Sequence, residues 1–315
     1  MAVATPPVAQ APATGKPAGE GFNWTALAFM APAGILLLVF VVFSAFYTFF
    51  LAFDRGRRGE FTEFVGLRNF VNLFTNDPDF LRLGFPPSGA LWNNVLWVFF
   101  YTGGVVLLGL IVAVMATRVR YEAVIKAIVF LPMAIAATAI GIIWRFVYFP
   151  DENTGLLNSM IGVVGAGPVA FLGNPDTVNW ALITVGIWGS VGFATVILSA
   201  AIKGISSEIL EAARVDGATE TQIFWRIIVP MVSLPISVVA VTLVVNVIKL
   251  FDLIYVMTNG GPGTSSAVIA FSMFRDGFLS GRYGYASAIA VVMLAIMIPI
   301  MIFNVRRFRT ESVQQ

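Results

Sequence analysis

The chain has 315 residues, 58% of them hydrophobic and only 11% charged, with a net charge of +2 and a mean hydropathy of +0.87. A soluble domain of ordinary composition carries about 25% charged residues, so this chain cannot cover a water-facing surface and its solvent is lipid. It contains no Cys and no His, which excludes disulfides, thiolate metal sites, cysteine nucleophiles and imidazole bases. Its basic residues form no long run of the kind that meets nucleic acid.

Residues 1–22, MAVATPPVAQAPATGKPAGEGF, are rich in Ala, Pro and Gly. They bury too little apolar surface to fold and read as a disordered tail. The apolar run that starts at Trp24 is too long for a cleavable leader and lacks a convincing cleavage site. A transmembrane helix needs ~20 consecutive apolar residues. Six charge-free intervals meet that length: 24–53, 91–117, 127–144, 177–202, 227–248 and 283–305. The uncharged stretch 153–175 is broken by glycines and prolines and reads as an exposed loop with one short helix, and 253–274 fails at NGGPG (259–263). The expected architecture is all-α and polytopic. One membrane domain spans 23–308, with a cytoplasmic loop at 203–226 and a short cytoplasmic tail at 309–315.

Six spans put both termini on one side. That side carries 10 Lys or Arg in 66 residues, against 7 in 89 on the other. The positive-inside bias therefore places the termini in the cytoplasm. RVRYEAVIK (118–126) and RRFR (306–309) mark that side most clearly.

The most unusual segment is EAARVDGATETQIFWRIIVP, residues 211–230. From Ser207 to Asp216 nothing breaks a helix. Ser206 or Ser207 is placed to cap its start, with Glu208 in the first turn. Gly217 permits a bend, and ATETQIFWRII then resumes a helical run into the next span, where Pro230 and Pro235 kink its start. The reading is helix, bend, helix at the membrane surface, offered to a cytoplasmic partner. A solvated loop, or a helix lying on lipid, is the alternative.

Polar residues within the spans mark candidate solute contacts. Thr242, Asn246 and Lys249 lie at i, i+4 and i+7, on one helix face, with Asp252 three residues further. Lys249 stands 22 residues beyond Ile227, ~33 Å along a continuous helix, near the outer edge of the membrane. Lys249 and Asp252 read as an outer-gate or local ion pair. Thr242 and Asn246 read as path-lining groups or as interhelical hydrogen-bonding groups. Trp188, Gly189, Ser190, Gly192 and Phe193 combine rings that stack on sugar faces with small residues that leave room for them, and ordinary helix packing through small residues is the other account. TNGGPGTSS (258–266) is turn chemistry that either meets a partner or simply turns.

The segment at 211–230 resembles the EAA loop of the permease subunits of binding-protein-dependent ABC importers: Glu-Ala-Ala, three residues, Gly, nine residues, Ile, one residue, Leu-Pro. Here Glu211, Ala212, Ala213, Gly217, Ile227 and Pro230 hold those positions, and Val229 replaces Leu. FLP (130–132) with Trp144, DGA (216–218), FDLIYVMTNGGP (251–262) and YASAIA (285–290) look like the carbohydrate-uptake branch of that family, across roughly residues 24–305.

The resemblance implies a six-helix type I importer permease in the bacterial cell membrane. It implies that Glu211, Ala212, Ala213, Asp216 and Gly217 form a coupling helix docked in a cleft of a separate ATPase dimer, Glu211 against a basic residue, Ala212 and Ala213 seated in the cleft and Gly217 at the bend. It also implies a second homologous permease, an extracytoplasmic solute-binding protein, and a sugar path lined by Trp188, Phe193, Leu243, Asn246, Val247 and Leu250. No GxxxxGK[ST] motif occurs, so the chain is read as a non-enzymatic subunit without cofactor or metal, ATP and Mg being bound by the partner ATPase. A permease for glycerol-3-phosphate or another polyol or sugar phosphate is the alternative solute class. An ion-coupled secondary transporter using Lys249 and Asp252 is a distant one. An intramembrane enzyme lacks paired acids within the spans, and a pure scaffold would have no dependence on ATP or on Glu211.

Overall fold

The computed structural model describes residues 24–311 except Arg58 and Arg118. The tail expected at 1–22 lies outside the described residues. The chain divides into two compact units, residues 1–47 and 48–315. Within the first, the described residues are helical from Trp24 onward and lead into α1 (Ala26–Leu51), whose most apolar window buries none of its residues. A single-residue widening of the helical turn occurs at Leu38–Phe43, and the rings of Phe43 and Tyr47 lie 6.2 Å apart.

In the second unit three long helices pass the length and composition of a span: α2 (Ala90–Thr117), α6 (Pro175–Lys203) and α12, which spans Tyr283–Arg307 and runs on to Glu311. The tail expected from 309 therefore begins inside this helix. Two further spans are broken. α3 (Glu122–Ala134) meets α4 (Ala137–Val147) at 98°, and α8 (Glu220–Met231) meets α9 (Ser233–Ile248) at 72°. With α1, these make the six crossings expected, but the third and fifth are not straight rods. The first break follows Pro132, where Ile135 turns extended. The second falls at Val232, between Pro230 and Pro235. Pro235 sits in the first turn of α9, where a missing N–H costs no helical bond.

Small residues let the central helices approach closely. A Cβ on Gly109 of α2 would lie 2.5 Å from the Ala194 Cβ of α6, and one on Gly192 of α6 would lie 2.4 Å from the Val129 carbonyl of α3. Without a hydrophobic drive between helices in lipid, such backbone proximity is what holds them. Leu182, Leu198, Val105 and Val239 are fully buried at this centre, while Phe99, Ile128, Phe146 and Ile298 remain exposed outward, as lipid-facing positions require.

Side-chain amides tie the ends of elements together. Asn94 donates to the Val247 carbonyl (3.0 Å) and accepts from Ile269 N (2.8 Å), which anchors the end of α9 to α2 and to α11 (Ile269–Phe274). In the 153–175 stretch a single short helix forms, α5 (Leu156–Val163). Its Asn158 holds the surrounding loop through Phe149 O, Val169 O and Val169 N.

Candidate coupling elbow and solute cavity

The residues at 203–226 form an elbow. α7 (Ser207–Val215) starts where the Ser206 hydroxyl accepts from Glu208 N at 3.3 Å, so Ser206 rather than Ser207 is the cap. At its other end Gly217 has φ +83°. Ala218 N reaches Ala213 O (2.9 Å) and Gly217 N reaches Arg214 O (3.1 Å), the paired bonds of a Schellman ending, which needs a left-handed residue at this position. Thr219 and Gln222 then form a reciprocal capping box that starts α8. Arg214 Nε meets Glu220 Oε1 at 2.9 Å and braces the two helices across the bend.

The elbow has two faces. Leu210, Ala213 and Ala218 pack on the chain's own core, whereas Glu208, Ile209, Glu211, Ala212, Val215 and Asp216 are exposed. Val215 is 87% exposed. Sequence reasoning paired Ala212 with Ala213 as one outward face. The structure separates them, because adjacent residues on a helix point about 100° apart: Ala213 turns inward and Ala212 outward. Val215 and Ile209 were missed. Their signal was their i, i+3 and i+6 register with Ala212.

A cavity of about 220 Å³ lies between α2, the α3–α4 break, α6 and the end of α9. Asn246, Val247 and Leu250 line it. Trp97, Tyr101, Ile140, Gly186, Gly189 and Ser190 complete its wall. The Tyr101 hydroxyl donates to Ser190 Oγ at 2.9 Å. Trp97 is 1% exposed and its indole N–H is buried with no hydrogen-bond partner among the described residues. The Asn246 side chain is exposed, and no hydrogen bond from its amide is seen among the described residues. Trp97 and Tyr101 were not singled out from the sequence, although their i, i+4 spacing in a charge-free span was legible.

Other expected lining residues lie elsewhere. Leu243 is 1% exposed within helix packing, Phe193 is half-buried against the core, and Trp188 stands outside the cavity with its ring 5.6 Å from Trp144, edge to face. The Thr242 hydroxyl is spent on Val238 O, 2.9 Å away on its own helix.

Lys249 and Asp252 do not pair. Both are exposed and no ion pair joins them. The i, i+3 spacing brings side chains together only along a continuous helix. Here α9 ends at Ile248, Phe251 takes φ −137°, and Asp252 opens a new helix, α10 (Asp252–Met257). The bend at Val232 likewise invalidates the rise along one straight rod from Ile227 to Lys249.

Among the described residues no group of His, Cys, Asp and Glu is arranged to hold a metal.

A family model described as the inner membrane component of binding-protein-dependent transport systems matches residues 105–306. The osmoprotective compounds uptake permease protein GgtC of Synechocystis sp. is 42% identical over 90% of this chain and 99% of its own length. The alpha-glucoside transport system permease protein AglF of Rhizobium meliloti is 37% identical over 90% of this chain and 82% of its own. In the crystal structure of a bacterial alginate ABC transporter in complex with alginate pentasaccharide-bound periplasmic protein, one chain superposes with a TM-score of 0.73 at 26% identity, over 89% of this chain and 92% of that one.

Proposed function

The chain belongs to the family of binding-protein-dependent transport system inner membrane components, and from that premise we propose that it is one of two permease subunits of an ATP-driven importer for a neutral sugar or oligosaccharide. The observation that carries the mechanical half of this reading is the elbow: a capped helix with an exposed acidic and apolar face, locked to the next span by Gly217 and by Arg214–Glu220. Glu211, Ala212, Val215 and Asp216 dock on a separate ATPase subunit that holds ATP and Mg. Ala213 fixes the helix to its own span. Closure of the ATPase dimer draws the elbow with it, and the brace passes that displacement into α8. The elbow faces the cytoplasm on this reading, as do both termini. Domain 23–308 is then the working unit, with 1–22 and 309–315 accessory.

The cavity carries the chemical half. Its wall holds indole, phenol, hydroxyl and amide groups and no basic side chain. That favours an uncharged polyhydroxylated solute over a sugar phosphate, whose charge would need Arg or Lys. Asn246 offers an unspent amide, Trp97 contributes ring surface, and Tyr101 with Ser190 offers a shared hydroxyl pair. Names of the relatives agree with this class: one takes up osmoprotective compounds, another alpha-glucosides. A binding protein delivers the solute to the opposite face.

The test is reconstitution of the full transporter in vesicles with ATP inside or absent. Sugar uptake should require ATP and be abolished by Glu211→Lys with membrane insertion intact. Uptake driven by a proton or sodium gradient without ATP would overturn the reading.

A further inference from the structure

α6 has 29 residues, roughly 43 Å at helical rise, so its head lies a full span away from the elbow. At that head is a second, larger cavity of about 680 Å³, bounded by the starts of α2 and α6, residues 78–89 and the turn at 262–265. Trp92, Trp180, Asp79, Arg82, Asp176 and Asn179 line it. Trp180 is 47% exposed, and its ring is held edge to face by Phe100 at 4.7 Å. Arg82 and Asp176 each lack an ion-pair partner among the described residues. Asn179 is only 9% exposed. Its amide nitrogen donates to Ser265 O (2.8 Å) and to Asn93 Oδ1 (3.2 Å), and its buried Oδ1 accepts no hydrogen bond among the described residues. Five prolines stand on the rim, Pro78, Pro86, Pro87, Pro175 and Pro262. Their fixed φ keeps the mouth open without ordering cost on binding.

We infer that this pocket is an outer carbohydrate subsite that holds a sugar unit before it passes to the inner cavity. The inference rests on the reading of the solute as a sugar. Each sugar hydroxyl both donates and accepts. A wall that combines carboxylates and a guanidinium serves both needs, while two indole rings take the apolar C–H faces of the ring. Asp79 is already held by the Thr264 hydroxyl (2.9 Å) and by Arg275 (3.7 Å), and Asp176 balances Arg82, so the wall has no net positive charge to hold an anion, while its ionised groups disfavour an acyl chain. The volume falls within the ~300–1,000 Å³ of small-molecule sites and accommodates a disaccharide. Trp92 and Trp180 are the stacking platforms, Asp176 accepts from hydroxyls, and Arg82 donates to ring or hydroxyl oxygens.

The test is photolabelling of the assembled transporter in nanodiscs with an aryl-diazirine maltose or trehalose, with peptides mapped by mass spectrometry. Label should appear on the peptides that hold Trp92 or Trp180 and be displaced by the free disaccharide. Trp92→Ala and Asp176→Asn should each reduce it roughly fivefold, the size of one lost aromatic or polar contact, while Trp92→Phe retains it. Label confined to the inner cavity around Asn246 would overturn the subsite and leave the sugar reading standing. Label at neither place would sink both. Label at the mouth that survives Trp92→Ala with Asp176→Asn, or that lipid displaces and sugar does not, would also overturn it.

Discussion

Glu122 Oε2 lies 2.8 Å from Lys203 Nζ, and the same carboxylate is bonded to Lys126 one turn along its own helix. One acid thereby joins the start of α3 to the last residue of α6, where the coupling loop departs. Solvent screens the pair, so it adds little to stability, but its position ties the elbow's root to the broken third span. Glu122→Gln should leave assembly and thermal stability nearly unchanged and lower ATP-driven uptake several-fold. Unchanged uptake, with the binding-protein dependence of ATP hydrolysis intact, would show that the pair only decorates the surface.

Gly217 tests the elbow without touching its docking face. A Cβ there meets nothing within 4 Å, so a substitution acts through the backbone alone. Gly217→Ala should cost about 1–2 kcal/mol in the left-handed region and loosen the joint between α7 and α8. Gly217→Asn, which tolerates that region, should recover most of the loss. Thermal unfolding together with co-purification of the ATPase reads both effects. Equal behaviour of Ala and wild type would mean that the bend is not held by this ending.

The inner cavity predicts a split in kinetics. Tyr101→Phe removes the donor to Ser190 and costs about 1 kcal/mol where the hydrogen bond is also made in the loaded state. Asn246→Ala removes an amide exposed in the cavity wall. Both should alter the solute concentration giving half-maximal uptake, with complex yield unchanged. Leu243→Ala, by contrast, should lower stability by about 2–5 kcal/mol as a buried cavity is made and reduce yield. The reverse pattern would mean that α9 presents the other face to the solute.

The loop after α1 carries a pH dependence. Asp54 is 5% exposed. Burial pushes its carboxyl upward, but backbone N–H donors from Thr62, Gly56 and Glu63 and the Thr62 hydroxyl all converge on Oδ1 and bring it below the ordinary carboxylate value. A folded pKa below the unfolded one of about 3.9 means the stabilising contribution is complete above that pH. It is lost as pH falls through the folded value. Stability of the full chain should therefore drop more steeply below about pH 4 in wild type than in Asp54→Asn. Parallel acid profiles for the two would remove Asp54 from this role.

Gly192 is the tightest of the central helix contacts onto backbone. Gly192→Ala forces α6 away from the Val129 carbonyl and should destabilise by about 1–3 kcal/mol, as overpacking does. Chemical denaturation in mild detergent is the readout, and a neutral result would show that α3 can shift freely.

Sequence alone determined the solvent, the number of crossings and the elbow. Each of these is written in local chemistry: a run of apolar residues long enough for the bilayer, a serine before a helix, a glycine after it, acids on a face that lipid would reject. The exposed elbow residues Glu211 and Asp216 were legible because charge is costly everywhere in such a chain except where water or a partner waits. What the tertiary structure decided is which side of each span faces what. Ala213 turned inward beside an outward Ala212, Trp97 and Tyr101 joined a cavity with Asn246, and Lys249 parted from Asp252 where α9 ended and α10 began. In a chain that is apolar all round, the alternation of polar and apolar positions that assigns a helix face in water is missing. The facing partners are chosen instead by close approach at Gly109 and Gly192 and by the bend at 135, which become visible only when the helices are packed, whereas the bend at 232 was already marked by Pro230 and Pro235.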